Sequence, residues 1–218
     1  MKAKLSLTLL LSLAIGAGFS TLASPVDIEI PAPAVLAEKA KGLSSSRFRM
    51  VQLLTDEAFL VDVIKNAADW EVRQMAVQRL TNQVLLARIA IEEMAMDIEG
   101  KSEEDAAKMQ WSEKMVRDTA TMRLKDQALL VEVAKNCPDE DIRGTAVGLL
   151  SDQTIIADFA KNDKATIVRK RAIEKLNDQT LLTKIEGNDE EDSEVRSKAR
   201  ERLYWLQRMQ KVNKDSEH

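Results

Sequence analysis

Apolar residues recur along most of this chain in two helical spacings, separated by short polar breaks. Between residues 152 and 176, Ile155, Ile156 and Phe159 stand at i, i+1 and i+4, one face of a helix, and Leu181, Leu182 and Ile185 repeat that spacing further on. Asn162, Asp163 and the β-branched Thr166 interrupt the period, after which Val168, Ala172 and Leu176 line up at i, i+4 and i+8. The pattern predicts a first helix, A, from Asp152 to about Lys161, and a second, B, whose Val-Ala-Leu stripe faces the same interior. Helices of roughly ten residues do not persist alone in water, so stacking on neighbours has to hold them.

Anchored on its arginine, the B pattern starts at Arg47, Arg73, Arg117, Arg143, Arg169 and Arg196, and a leucine follows each at the seventh residue: Leu54, Leu80, Leu124, Leu150, Leu176 and Leu203. The steps between arginines are 26, 44, 26, 26 and 27 residues, so one unit carries an insertion of 18. A recurrence of this length is too long for a heptad and too short for a domain. It marks one supersecondary unit that buries its apolar face only against copies of itself. The acidic residue, Val-Arg, Ala and Leu on the second helix resemble the HEAT-like repeats, especially the short variety named after phycobilisome lyases, over residues 46 to 206. The fold expected on that resemblance is all-α, a right-handed α-solenoid of about six short 26-residue helix-turn-helix units. Such a resemblance predicts architecture better than activity.

Two polar signatures accompany the period. Asp-Gln pairs stand two residues beyond Leu124, Leu150 and Leu176, with Asn82-Gln83 and Asp56-Glu57 in the earlier units. The acid suits a helix N-cap, because its carboxylate accepts from the free amides of the first turn. The glutamine is not required there, since Glu would serve the helix dipole better. Gln127, Gln153 and Gln179 therefore form either a side-chain amide ladder between units or the lining of a polar binding groove. The arginines at the starts of the B helices invite a reading as an anion-binding ladder. The alternative is structural pairing with loop acids such as Asp69, Asp139, Asp141, Asp163, Asp189 or Asp192, which the planar guanidinium fork suits.

Departures from the period carry the remaining information. Residues 1 to 23 hold lysines at 2 and 4, an apolar run from Leu5 to about Ala17 and a small-residue end near Ala23, which predicts a secretory signal peptide. No later run approaches the ~18 apolar residues of a membrane span. The expected address is the bacterial periplasm or the medium. Residues 24 to 45, with Pro25, Pro31 and Pro33, read as a mostly extended lead-in with room for one helical turn or two between Ala34 and Lys41, and Ser46, Met50 and Glu57 in the first unit depart from pattern as an end cap does. The insertion, at about residues 91 to 115, should lengthen helix A to about Glu99, stop at Gly100 and restart at Ser102, giving a helical hairpin. It holds eight acids against three lysines, and Met94, Met96, Met109, Trp111 and Met115 supply adaptable apolar contacts. They either zip the longer helices together or meet a partner. Residues 195 to 214 hold seven bases against one acid with Val195, Ala199, Leu203 and Leu206 at helical spacing, a closing helix that also suits an anionic membrane or an acidic partner. The repeat array is expected over residues 46 to 212, with a disordered tail at 213 to 218.

Composition narrows the function. The only histidine is His218 and the only cysteine Cys137, so no zinc set, serine or cysteine nucleophile with a histidine base, or His-Glu iron site can be drawn. No glycine-rich phosphate loop exists. No catalytic, cofactor-binding or metal-ligating residue is assigned. The formal net charge of −4 falls to near −6 without the two leader lysines, which argues against nucleic acid. Cys137, alone in an exported chain, reads as a semi-buried thiol or one half of an intermolecular disulfide. The expected function is a non-catalytic scaffold that binds another protein, through Met94, Met96, Met109, Trp111, Gln127, Gln153 or Gln179. The alternative is a membrane-surface factor docked through residues 195 to 214.

Overall fold

The computed structural model describes residues 32–36, 47–67, 69–92 and 102–216. These residues are helical or in short connections, with no strand among them. Beyond a turn of helix at residues 33–36, the elements are α1 (Arg47–Leu53), α2 (Glu57–Asn66), α3 (Trp70–Arg79), α4 (Gln83–Ile91), α5 (Glu103–Met122), α6 (Gln127–Asn136), α7 (Glu140–Leu149), α8 (Gln153–Asn162), α9 (Thr166–Lys175), α10 (Gln179–Glu186) and α11 (Ser193–Ser216). The expected signal peptide lies outside the described residues, as does most of the expected lead-in. Within that lead-in, residues 33–36 form a turn of helix where one was expected from Ala34 on, and Leu36 is buried.

The chain divides into two compact bodies, residues 1–76 and 77–218. In the first, Asp56 caps α2 by accepting from the Ala58 amide at 2.8 Å, and Asp69 accepts from Glu71 at 2.9 Å. Leu60, Val63 and Ile64 of α2 are buried, as are Val51, Leu54, Ala67, Val72 and Ala76.

In the second body the helices come in pairs: α4 with α5, α6 with α7, α8 with α9, and α10 with α11. The second members pack one on the next, α5 on α7, α7 on α9 and α9 on α11, and α4 packs on α6. The sequence explains the boundaries. Asn82, Asp126, Asp152 and Asp178 occupy N-caps, their side chains accepting from amides of the first turn at 2.8–3.3 Å. Each second helix ends at a buried leucine, Leu124, Leu150 or Leu176, whose amide turns back to a carbonyl three residues earlier. Only one exposed residue then separates that leucine from the next capping residue.

The interior follows the predicted stripe. Val116, Ile142, Val168 and Val195, the residues before each arginine, are wholly buried, and so are Ala120, Ala146, Ala172 and Ala199. The small alanines allow second-row helices to approach closely. A second buried row, Thr121, Val147 and Ile173, stands one residue further on; the Thr121 hydroxyl satisfies itself on the Arg117 carbonyl at 3.0 Å. Burial of each such Val, Leu or Ile side chain is worth roughly 1.5–3 kcal/mol against exposure.

The insertion departs from expectation in its first arm. Helix α4 stops at Ile91, with Glu92 in extended backbone (φ −73°, ψ 126°), instead of running on to Glu99. Residues 93–101, including Met94 and Met96, lie outside the described residues. The second arm agrees: Ser102 caps α5, accepting from the Asp105 amide at 3.1 Å and donating to its carboxylate at 2.8 Å. Helix α5 then runs for 20 residues, where α7 and α9 have 10 each.

Candidate interaction surfaces

The arginines are structural ties. Arg143 donates to its own loop, to the carbonyls of Cys137 and Pro138 at 3.1 and 3.0 Å, and reaches the Asp163 carboxylate in the loop of the next pair at 3.3 Å. Arg169 repeats the arrangement with the carbonyls of Asp163 and Lys164 and with Glu191 at 2.8 Å. The partner is Glu191, not one of the anticipated aspartates. Arg196 takes Asp189 of its own loop at 3.0 Å. At Arg117 the loop acid of the next pair is replaced by Cys137, whose sulfur accepts at 3.1 Å; a carboxylate comes instead from Glu113, one turn earlier on α5, at 3.3 Å. The Arg117 fork also caps the end of α4 through the Ala90 and Ile91 carbonyls. With Arg117 and Arg143 nearly enclosed and committed to carbonyls and carboxylates, they present no ladder of open cations.

Cys137 is the buried thiol of the two readings. It is 2 % exposed and free, and besides accepting from Arg117 it lies 3.5 Å from the Ala90 carbonyl. Burial pushes its pKa up, against the opposing pull of the Arg117 charge.

The glutamines tie each pair to the backbone of the next rather than to one another. Gln153 donates to the Lys175 carbonyl at 3.1 Å and accepts from the Asn177 amide at 2.9 Å, so one side chain closes a two-bond clasp on the next inter-helix corner. Gln127 makes the same clasp on the Leu149 carbonyl and Ser151 amide, and Gln83 accepts from Lys125 and Asp126. An amide is required because the clasp needs a donor and an acceptor on one group, which a carboxylate lacks. Gln179 has no following pair to clasp, and among the described residues its side-chain amide makes no hydrogen bond.

What the ties leave open is elsewhere. The first half of α5 extends past the helix length its neighbours use, and residues 102–105, 107, 108, 110 and 111 are exposed. Trp111 is 52 % exposed there and Met109 is half-buried. Met115 and Met122 follow Trp111 at i+4 and i+11, on the same face, and Met122 is 56 % exposed. On the adjacent flank Lys114 bonds Asp141 and lies 3.6 Å from Asp139, which raises its pKa, while Thr145 donates to Asp118 at 2.8 Å. These contacts fasten α5 to α7 and leave the methionine and tryptophan stripe outward.

A second open place was not anticipated. A groove of about 280 Å³ between α4 and α6 is lined by Val84, Ala87, Ile91 and Leu129, with Arg88 and Glu132 among the polar residues beside it. Its signal stood in the sequence: Val84, 57 % exposed, occupies the position of Ala128, Thr154 and Thr180 in the other units. A larger groove of about 430 Å³ between α9 and α11 is lined by charges already paired, Lys170 with Glu194 at 2.6 Å and Lys198 with Glu201 at 2.8 Å. The Lys198 hydrogen bond holds the Glu201 carboxyl below its ordinary range.

Among the described residues no group of three or more His, Cys, Asp or Glu side chains could hold a metal ion, and no helix is long and apolar enough to cross a membrane. Comparison with protein-family models, curated proteins and solved structures returns no match.

Proposed function

We propose that the protein is a non-catalytic adaptor of the bacterial envelope whose helix pairs form a right-handed α-solenoid of short units resembling HEAT repeats, and that it binds another protein through the exposed face of α5. The leader-like pattern of residues 1 to 23 supports export. The recurring glutamine clasp and arginine fork support nearest-neighbour stacking, because each reaches only the next pair. One observation carries the binding assignment. Helix α5 is twice the length of α7, and its surplus turns bring Trp111, 52 % exposed, into line with Met115 and the 56 % exposed Met122 of its regular turns. Insertions in repeat arrays map to binding faces, and tryptophan and methionine are suited to adaptable partner contacts.

Site-specific photocrosslinking in living cells tests this. A photoreactive residue at Trp111 or Met122 should give one common adduct band, and the same residue at exposed Lys161 should give none. Equal adducts from all the sites, or none from Trp111 and Met122, would remove α5 as the binding face.

A further inference from the structure

The terminal helix α11 has two unlike halves. Its first half is fixed to the body: Val195, Ala199 and Leu203 are buried, and Arg200 pairs with Glu186 at 2.7 Å. Arg202 is the last fastening. It donates to the Leu176 carbonyl and to Asn177 Oδ1, both at 2.9 Å, which covers the carbonyl end of the preceding pair. Beyond Leu206 every residue from 207 to 214 is exposed, yet the helix continues, about 12 Å of it at the ordinary rise.

That outer half is amphipathic. Trp205, Met209 and Val212 fall at i, i+4 and i+7, a single stripe, and are 49, 41 and 54 % exposed. Tyr204, 64 % exposed, stands beside it. Arg202 lies over the Trp205 ring at 4.6 Å, so one face of the indole is held by a guanidinium that is itself anchored to backbone. Up to Lys214, ahead of Asp215, the other charges are of one sign. Residues 202 to 214 include Arg202, Arg208, Lys211 and Lys214 and no acid, within a chain whose formal charge is −4. Among the described residues, Arg208 and Lys211 have no carboxylate within ion-pair distance.

We infer that the outer half of α11 is a docking face for the anionic surface of a lipid bilayer, lying in the interface with Trp205, Met209 and Val212 inserted and Arg208 and Lys211 directed to headgroup phosphates. Charge complementarity selects this occupant. A second copy of the helix would bring like charges together, whereas an anionic headgroup layer neutralises Arg208 and Lys211 at once. Indole and phenol rings beside long cationic side chains suit the depth where acyl chains meet headgroups, because the stems of Arg and Lys can lie along apolar surface while the charge stays in water. The bilayer would also supply the apolar cover that the outer turns lack, and short helical segments without such cover are marginal in water. This inference does not rest on the α5 assignment; it concerns another helix and another class of partner.

Trp205 is its own reporter. In the full chain carrying Trp70→Phe and Trp111→Phe, vesicles of phosphatidylcholine with about a third phosphatidylglycerol should move Trp205 emission to shorter wavelength, and pure phosphatidylcholine vesicles should not. Each surface base contributes about 1 kcal/mol near an anionic leaflet, so Arg208→Gln with Lys211→Gln should weaken vesicle binding about 30-fold. Met209→Ser should weaken it further at unchanged charge, and raised salt should weaken it in every variant. Helical circular dichroism and melting temperature should be unchanged by these outer-half substitutions, since none touches a buried residue. An equal response to neutral and anionic vesicles would overturn the inference. So would no response to either, or a response to polyglutamate that vesicles do not elicit, which would give the helix to an acidic protein instead.

Discussion

The stretch from residue 127 to 186 and the two overlong helices α5 and α11 are built from the same residue types and use them differently. Within 127 to 186, arginines and glutamines recur where a neighbouring pair presents a backbone carbonyl, an amide or a carboxylate. Arg143, Arg169, Gln127 and Gln153 are all engaged. In the surplus turns the same cations and the large apolar residues face outward, Trp111 on α5 and Trp205, Arg208, Met209 and Lys211 on α11. A polar residue in the regular stretch therefore reports architecture, while residues beyond the length that pairing requires are where the proposed partner contacts lie. The substitutions below separate those two classes by how much stability each removes.

The largest loss belongs to the seam between α7 and α9. Ala146 is wholly buried, so Ala146→Asp places an uncompensated charge among apolar side chains and should cost about 4–5 kcal/mol, read as a large fall in the midpoint of thermal or urea unfolding. An unchanged midpoint would place Ala146 at the surface and the helix register one residue off.

Next come the forks. Arg143→Ala leaves the Asp163 carboxylate, 10 % exposed, and two loop carbonyls without their donor, an expected loss of about 3 kcal/mol. Arg169→Ala should cost less, about 1–3 kcal/mol, because Arg169 and Glu191 are each 14 % exposed and water can partly replace the bond. Should the two losses come out in the reverse order, burial would not be what sets them. Neither change should affect crosslinking at Trp111.

The clasp gives a matched pair. Gln153→Glu keeps the acceptor for the Asn177 amide, loses the donor to Lys175 and faces that carbonyl with a carboxylate, for about 1 kcal/mol. Gln179→Glu, the same change where no pair follows, should be neutral within about 0.5 kcal/mol. Equal effects at both positions would mean that the clasp contributes nothing and that the glutamines serve another purpose. Smallest of all, Trp111→Ala should leave the melting transition within about 0.5 kcal/mol of the parent while abolishing the adduct formed from Met122.

Local patterns were legible and distant partners were not. Asp152 was readable as a helix cap because its bonds, to Thr154 and Ile155, lie within one turn of itself. Val168, Ala172 and Leu176 were readable as interior because helical periodicity alone brings them to one face. The glutamines were recognisable as surplus to capping, but they reach backbone groups 22 to 43 residues away, and backbone carries no sequence signature. Arg123, which donates to the Leu80 carbonyl 43 residues earlier, escaped notice for the same reason. The Glu113 carboxylate that replaces a loop acid for Arg117 was hidden among the acids of an insertion that reads as solvated. The first insertion arm failed at Glu92 because apolar residues beyond it kept a helical period, and a period does not show where a chain turns. On the candidate surfaces, Trp111 was legible as an aromatic outside the repeat pattern, whereas the exposure of Val84 depended on the packing of α4 against α6.

The central claim is that the pairs of the second body stack by contacts between nearest neighbours, in steps of one sequence period. Removing residues 127–152, one whole 26-residue period, tests it most directly, since it rejoins Asp126 to Gln153 and keeps a cap, a clasp and an arginine fork at every remaining junction. The shortened chain should stay folded, with helical circular dichroism per residue unchanged and a single cooperative melt at somewhat lower temperature; a deletion of half that length, residues 127–139, should lose the cooperative melt. If the whole-period deletion unfolds the chain as thoroughly as the half-period one, the helices are held by a core that spans many pairs, and the repeat account is wrong.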